Sequence, residues 1–267
     1  MAKKATIKDV AKEAGVSVAT VSYVMNNRTD VKITDETKKK VLQVANLLNY
    51  SPNQAAKALA TQHKSTIAIV MPKTGSILAE AENMHILEML SHFFHTENYD
   101  MILLDSSICE KYERADAIIC YNISTRQFHA LGDNNFVPLI ALNCFVNDPL
   151  FFQINTDASQ YRKAAEDFKG KSYKYVFLKS PNEERNQYRC NELGTENTLF
   201  VSSLKECDNI DTPNIITGDI VLSRILGHSH NVCYIDDLSV NKENTLLSCI
   251  KDAINRVKVT EHNILIR

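Results

Sequence analysis

The sequence predicts an all-α helix-turn-helix headpiece followed by a larger α/β body built on parallel strands. Three observations carry that prediction. Residues 1 to 64 hold ten lysines and one arginine against three aspartates and two glutamates, a net +6, while the remaining 19 cations and 27 acids make −8. Two short helical patterns in the first thirty residues meet at a glycine-containing turn. Beyond residue 64, apolar runs of strand length alternate with helical stretches, the pattern of a largely parallel sheet.

The first helix opens at Thr6, an N-cap with Asp9 at the third helical position, and Val10, Ala11 and Ala14 supply an apolar stripe at helical spacing. Gly15-Val16-Ser17 then makes a turn in which Gly15 takes positive φ, Val16 plugs the core and Ser17 caps the next helix. The second helix runs from Val18 to about Asn26, with Val21 and Val24 inward and Val18, Ala19, Ser22, Tyr23 and Asn26 outward. Such a pair places its second helix in the DNA major groove, and this outer face offers groups suited to phosphates, base edges and thymine methyls. A third helix starts at Thr34, with Asp35 and Glu36 in its first turn, and aligns Val41, Val44, Ala45 and Leu48 before Asn49-Tyr50-Ser51-Pro52 ends it. Lys38, Lys39 and Lys40 are either a solvated face or a diffuse electrostatic contribution.

Thr6-Ile7-Lys8-Asp9-Val10-Ala11, Gly15-Val16-Ser17, Ala19-Thr20-Val21-Ser22 and Asn49-Tyr50-Ser51-Pro52-Asn53 closely resemble the LacI/GalR family of bacterial repressors. The resemblance implies a DNA-binding headpiece over residues 1–52, a hinge helix and linker over 53–63 and an effector-binding and dimerisation domain over 64–267. It implies that Thr6, Lys8, Ser17, Val18, Ala19, Thr20, Ser22, Tyr23, Asn26 and Tyr50 meet DNA. Asn53 and Ala56 would face the backbone and minor groove, and Leu59 would wedge into the minor groove at the dyad and kink the duplex. Read from its residues alone, Gln54 to Ala60 is an alanine-rich linker helix. One departure concerns Tyr23, where many relatives carry the arginine that reads guanine; Tyr23 either packs on a base methyl or phosphate, or contacts only backbone.

In the body, strands are predicted at 64–72, 100–104, 115–121, 137–143, 151–155, 173–178, 214–217 and 231–235, with helices over 79–95, 158–169 and 220–226. This order resembles the two-lobed, periplasmic-binding-protein-like sensor of the same family, with echoes at Asn155-Thr156-Asp157, Tyr173 to Pro181, Thr217-Gly218-Asp219 and Tyr234-Ile235-Asp236-Asp237. The body is abridged: no crossover helix fits between Leu104 and Ala115, and Asn182 to Asp211 is too short for two βα units. The effector-clamping arginine of the family has no clean counterpart, Arg185 and Arg189 being nearest. Asp219 matches a position that bonds a sugar hydroxyl, and Asn143 and Lys73 stand at strand ends facing the expected cleft.

No dinucleotide fingerprint, P-loop, zinc-protease or nucleophile-elbow motif occurs, so no enzyme activity and no cofactor are expected. His92 with His95, and His228 with His230, lack a carboxylate or thiol at matching spacing, so no metal is expected. Seven cysteines without a C-x-x-C pair fit reduced thiols in the cytosol, and no apolar run reaches bilayer length. The expected partners are a double-stranded DNA operator, a second copy in a homodimer and a sugar-like small metabolite, with no membrane. The alternative keeps the DNA binding and leaves the body only to dimerise or dock a partner protein.

Overall fold

The computed structural model describes residues 5–25, 31–48, 50, 65–106, 111–112 and 114–267. The chain divides into two compact units, Met1–His63 and Lys64–Arg267.

The first unit contains α1 (Ile7–Ala14), α2 (Val18–Met25) and α3 (Asp35–Leu47). Thr6 and Asp9 form a reciprocal capping box at the start of α1, and Gly15 ends that helix at φ 64°, where a Cβ would be strained. Ser17 Oγ accepts from Thr20 N at 3.0 Å, and Thr34 Oγ1 accepts from Thr37 N at 3.3 Å, so α2 and α3 also start on hydroxyl caps. Val10, Ala11, Ala14, Val21, Val41, Val44 and Ala45 form one buried core, with Val16, Val24, Leu48 and Tyr50 packed against it. Three short helices of this length are marginal alone, and the shared core stabilises them.

The second unit holds two parallel sheets. Strands β1 (Ser65–Val70), β2 (Tyr99–Leu104), β3 (Ala117–Tyr121), β4 (Leu139–Leu142), β5 (Phe152–Thr156) and β10 (Asn263–Ile266) form a sheet in the order β10-β5-β4-β3-β1-β2. Strands β6 (Tyr173–Leu178), β7 (Thr198–Val201), β8 (Asn214–Thr217) and β9 (Asn231–Tyr234) form the other, in the order β7-β6-β8-β9. Every pairing is parallel, as expected when helices cover both faces.

Strand periodicity sorts side chains between the two faces. In β1, Ile67 and Ile69 join a core with α4 (Ile77–Thr96) and α10 (Val240–Ile254), through Ile86, Leu90, Phe94, Leu246 and Ile250. Ala68 and Val70 face the opposite core, closed by Phe128 and Leu131 of α5 (Thr125–Asn134). The second lobe repeats the scheme. Tyr175 and Phe177 of β6 pack on α6 (Ser159–Ala165), and Val176 and Leu178 share a core with Leu222 and Leu226 of α9 (Ile220–Leu226).

The two-lobed parallel architecture expected from the sequence is therefore present. Several elements go beyond the sequence expectation. The segment Asn182–Asp211 forms α7 (Glu183–Leu193), β7 and α8 (Leu204–Asp208), one strand more than its polarity suggested. That strand lies at a sheet edge, so one apolar face suffices. Helices α5 and α10 also lie outside the sequence expectation; α5 starts at a Ser124/Gln127 capping box and buries only Phe128 and Leu131 along a polar ten-residue run.

Candidate functional site

In the first unit, the outer side of the α1–turn–α2 pair is assembled by the caps and the core beneath it. Lys8, Ser17, Val18 and Ala19 are exposed, and Thr20, Ser22 and Tyr23 are half-buried beside them. Val18 keeps 42% of its surface, an apolar group left at the start of α2 with no partner in the core. The Ser17 and Thr20 hydroxyls hydrogen-bond each other at 2.9 Å, and the Thr6 hydroxyl donates to Asp9 at 2.7 Å. Tyr50 packs on the core, its N–H donating to Ala45 O at 2.8 Å, and burial raises its phenol pKa. Asn26, Asn53, Ala56 and Leu59 lie outside the described residues.

In the second unit, the carboxyl ends of strands in both sheets meet at the junction of the lobes, where ligands of parallel α/β proteins gather. The loop that follows β4 is unusual there. Asn143 and Phe145, just after β4, take φ of 58° and 55°, and Phe145 is not a residue that favours the left-handed region. The Phe145 ring stacks on Tyr188 of α7, in the other lobe, at 4.3 Å between centroids.

The centre of the junction is a buried ionic cluster. Asp237 follows β9 and accepts from Asn143 Nδ2 and from Arg185 Nη2, each at 2.6 Å; its other oxygen accepts from Thr156 Oγ1. Lys242 of α10 donates to Asn143 Oδ1 and Thr156 Oγ1, both at 2.6 Å, and lies 3.7 Å from Asp237 Oδ1. Burial alone would raise the Asp237 carboxyl, but the Lys242 ammonium and the Arg185 and Arg189 guanidiniums outweigh it and hold the group at about 2. Burial, reinforced by the two arginines and opposed by Asp237, lowers Lys242 to about 8. Burial also works against the Arg185 charge, and Asp237 more than offsets it, so that this guanidinium stays ionised.

A second buried acid stands beside this cluster. Glu82 of α4 accepts the Ile220 and Val221 N–H groups at the start of α9, at 3.1 and 2.9 Å, across the lobe boundary. Burial and then the Asp219 carboxylate push Glu82 up to about 7. Asp219 accepts Leu178 N–H at 2.8 Å, and burial raises it too, against the pull of Arg189 and Arg185. Gly218 beside it is required by close approach: a Cβ there would lie 2.2 Å from the Tyr161 hydroxyl. Further ties join the lobes. Asn182 Nδ2 donates to Ile123 O and Cys144 O at 2.8 and 2.9 Å, and Ser76 Oγ donates to Ser202 O at 2.7 Å.

Of the five residues suggested for an effector, Asn143 and Arg185 share Asp237, Arg189 stacks on Phe177 at 3.9 Å beside them, and Asp219 is spent on the Leu178 amide. Lys73 stands apart, exposed and paired with Asp105 at 2.9 Å. Lys242, Thr156, Asp237 and Glu82 are not among the site residues expected from sequence; the signals that touch them are the Asn155-Thr156-Asp157 and Tyr234 to Asp237 motifs. Two cavities at the junction, among the described residues, measure about 10 and 20 Å3, with room for about one water each. A larger groove of about 710 Å3 runs over α4, β2 and α9, lined by Met84, His85, Leu103, Val221 and Arg224 among others.

Residues 6–53 match the family described as bacterial regulatory proteins, lacI family. The regulator RegA of Clostridium acetobutylicum is 44% identical over 104 residues, covering 39% of this chain and 29% of RegA. Catabolite control protein A of Streptococcus mutans is 48% identical over 79 residues, covering 28% of this chain and 23% of that protein. The chain thus aligns with less than a third of the length of these curated relatives. Among solved structures, the Lac repressor bound to ONPG in its repressed state superposes with TM-score 0.51 at 17% identity, covering 99% of this chain and 97% of that one. A LacI family transcription regulator from Clostridium acetobutylicum gives TM-score 0.51 at 15% identity, over 76% of this chain and 97% of that one. These two likenesses concern the fold. Over residues 6–53, then, the chain is similar to the lacI family of bacterial regulatory proteins.

Proposed function

We propose that the protein is a transcriptional regulator of the bacterial cytosol that binds a pseudopalindromic DNA operator as a homodimer and acts as a repressor. The observation that carries this reading is the face formed by exposed Lys8, Ser17, Val18 and Ala19 with half-buried Ser22 and Tyr23 on a capped three-helix core, within the family match. In this reading residues 1–52 are the headpiece, 53–63 the hinge and 64–267 the dimerising body. The groove over α4, β2 and α9 supports the dimer: Met84 and Leu103 stay 62% and 54% exposed, an apolar surface that a second copy would bury. Among the described residues, no helix is long and apolar enough to cross a membrane.

Two readings of the body differ in their use for it. A sugar-like metabolite setting operator occupancy needs a cleft of some hundreds of Å3. Cavities of about 10 and 20 Å3 favour the other reading, in which the body dimerises or docks a partner and no metabolite enters.

Selection of binding sites from random duplex DNA by the full-length protein, at fixed salt, tests the function. An inverted repeat with a deformable central step is expected; salt-sensitive binding without sequence preference would overturn the operator reading. On the selected site, Leu59→Ala is expected to weaken binding by about tenfold or more, some 1.4 kcal/mol, with the thermal unfolding of the body unchanged. Unaltered affinity would remove the wedge role.

A further inference from the structure

Ligand clefts between the lobes of a parallel α/β protein present polar groups that are left for a ligand to satisfy. Here the groups are already taken, and by a residue of the chain itself. Asn143 Oδ1, at the end of β4, Thr156 Oγ1, at the end of β5, and Asp237 Oδ1, just after β9, converge on one point. A primary ammonium has three donors and no acceptor, and three acceptors surround this one. The Lys242 side chain that delivers it is 1% exposed.

We propose that Lys242 is a built-in ligand of the inter-lobe cleft, a tethered ammonium that holds the lobes closed in place of a small molecule. The route of its effect is visible in the contacts. Lys242, Asn143 and Thr156 all belong to the lobe of the six-stranded sheet, and together they orient the Asp237 carboxylate. That carboxylate receives Arg185 of α7 from the other lobe at 2.6 Å. Removing the ammonium leaves Arg185 as the one cation paired with that carboxylate among the described residues and empties a cradle shaped for a cation. The closed state of the body is thus written into α10 and requires no effector.

The inference rests on the reading in which the body takes no metabolite, but its main test needs no DNA, so it can fail or stand independently of operator binding. In the full-length protein, Lys242→Ala is expected to lower the melting temperature of the body by about 10 °C, since a buried charge pair is broken. Propylammonium replaces the three carbons and the nitrogen that the substitution deletes. At tens of millimolar it is expected to restore about half of the loss, whereas propanol, of similar shape but uncharged, and tetramethylammonium, charged but without donors, restore none. Equal effects of the three, or none from propylammonium on a folded variant, would overturn the proposal.

Where Lys242→Ala does not fold, reductive methylation of the wild-type protein followed by mass spectrometry reads the same contact. Lys242 is expected to stay unmodified while exposed lysines such as Lys73 react. Modification of Lys242 at the rate of Lys73 would overturn the tethered ligand. Neutral sugars are expected to leave the wild-type melting temperature unchanged, because binding to the native state would raise it; a saturable rise with a sugar would show a cleft still open to ligands and overturn the built-in closure.

Discussion

Asp237→Ala is expected to destabilise the body by about 3 to 5 kcal/mol, the range for removing one partner of a buried ion pair. The size follows from what remains. Asp237 faces Arg185 at 2.6 Å and Lys242 at 3.7 Å, and all three side chains are at most 7% exposed. Alanine leaves two cations side by side in a space that water scarcely reaches, and orphans the Asn143 amide and the Thr156 hydroxyl as well. Denaturant unfolding of the full-length protein, followed by a probe in the body, measures the loss. A change below about 1 kcal/mol, the scale of exposed pairs, would mean that the cluster is solvated and that it does not fasten the lobes. The same carboxylate predicts an acid limb. Its pKa is depressed to about 2, so its stabilisation is present above its ordinary 3.8 and is lost as pH falls through 2.

The second large effect is a pH dependence of opposite sign, from Glu82. Its folded pKa of about 7 lies above its ordinary 4.5, raised by burial and then by Asp219. The folded state therefore holds a proton that the unfolded chain releases. Its contribution is fully present below pH 4.5 and is lost as pH rises through 7, on the order of 3 kcal/mol in all. Other groups facing Glu82 are Asp237 and Tyr234, both of which raise it or are raised by it. Comparing wild type with Glu82→Gln isolates the group: the variant is expected to lack this loss and to gain on wild type from pH 5 to 8. Parallel stability curves would show that Glu82 is not ionising at the junction.

Two of the residues behind these effects look ordinary in the sequence. Lys242 stands in Val240-Asn241-Lys242-Glu243-Asn244, a polar stretch that reads as surface, and Glu82 in a helix whose charged residues read as solvated. Glu82 is nonetheless buried, because α9 of the other lobe starts on it. Lys73 illustrates the converse: a cation at a strand end, where a ligand group is expected, is paired with Asp105 at the protein surface.

What the sequence by itself determined is the part whose signals are local. The caps at Thr6, Ser17 and Thr34, the left-handed Gly15 and the spacing of Val10, Ala14, Val21, Val41 and Val44 all act within a turn or two of chain, so the three-helix unit was legible residue by residue. The buried strands of the two sheets were legible for the same reason, as short apolar runs between breakers. Only the tertiary structure decided the junction. Asn143 meets Asp237 across 94 residues and Lys242 across 99, and Thr156 meets Lys242 across 86. Which polar side chains are desolvated, and therefore which are ionised, paired or shifted in pKa, depends on how the strand ends of the two lobes approach, and no local pattern encodes that approach.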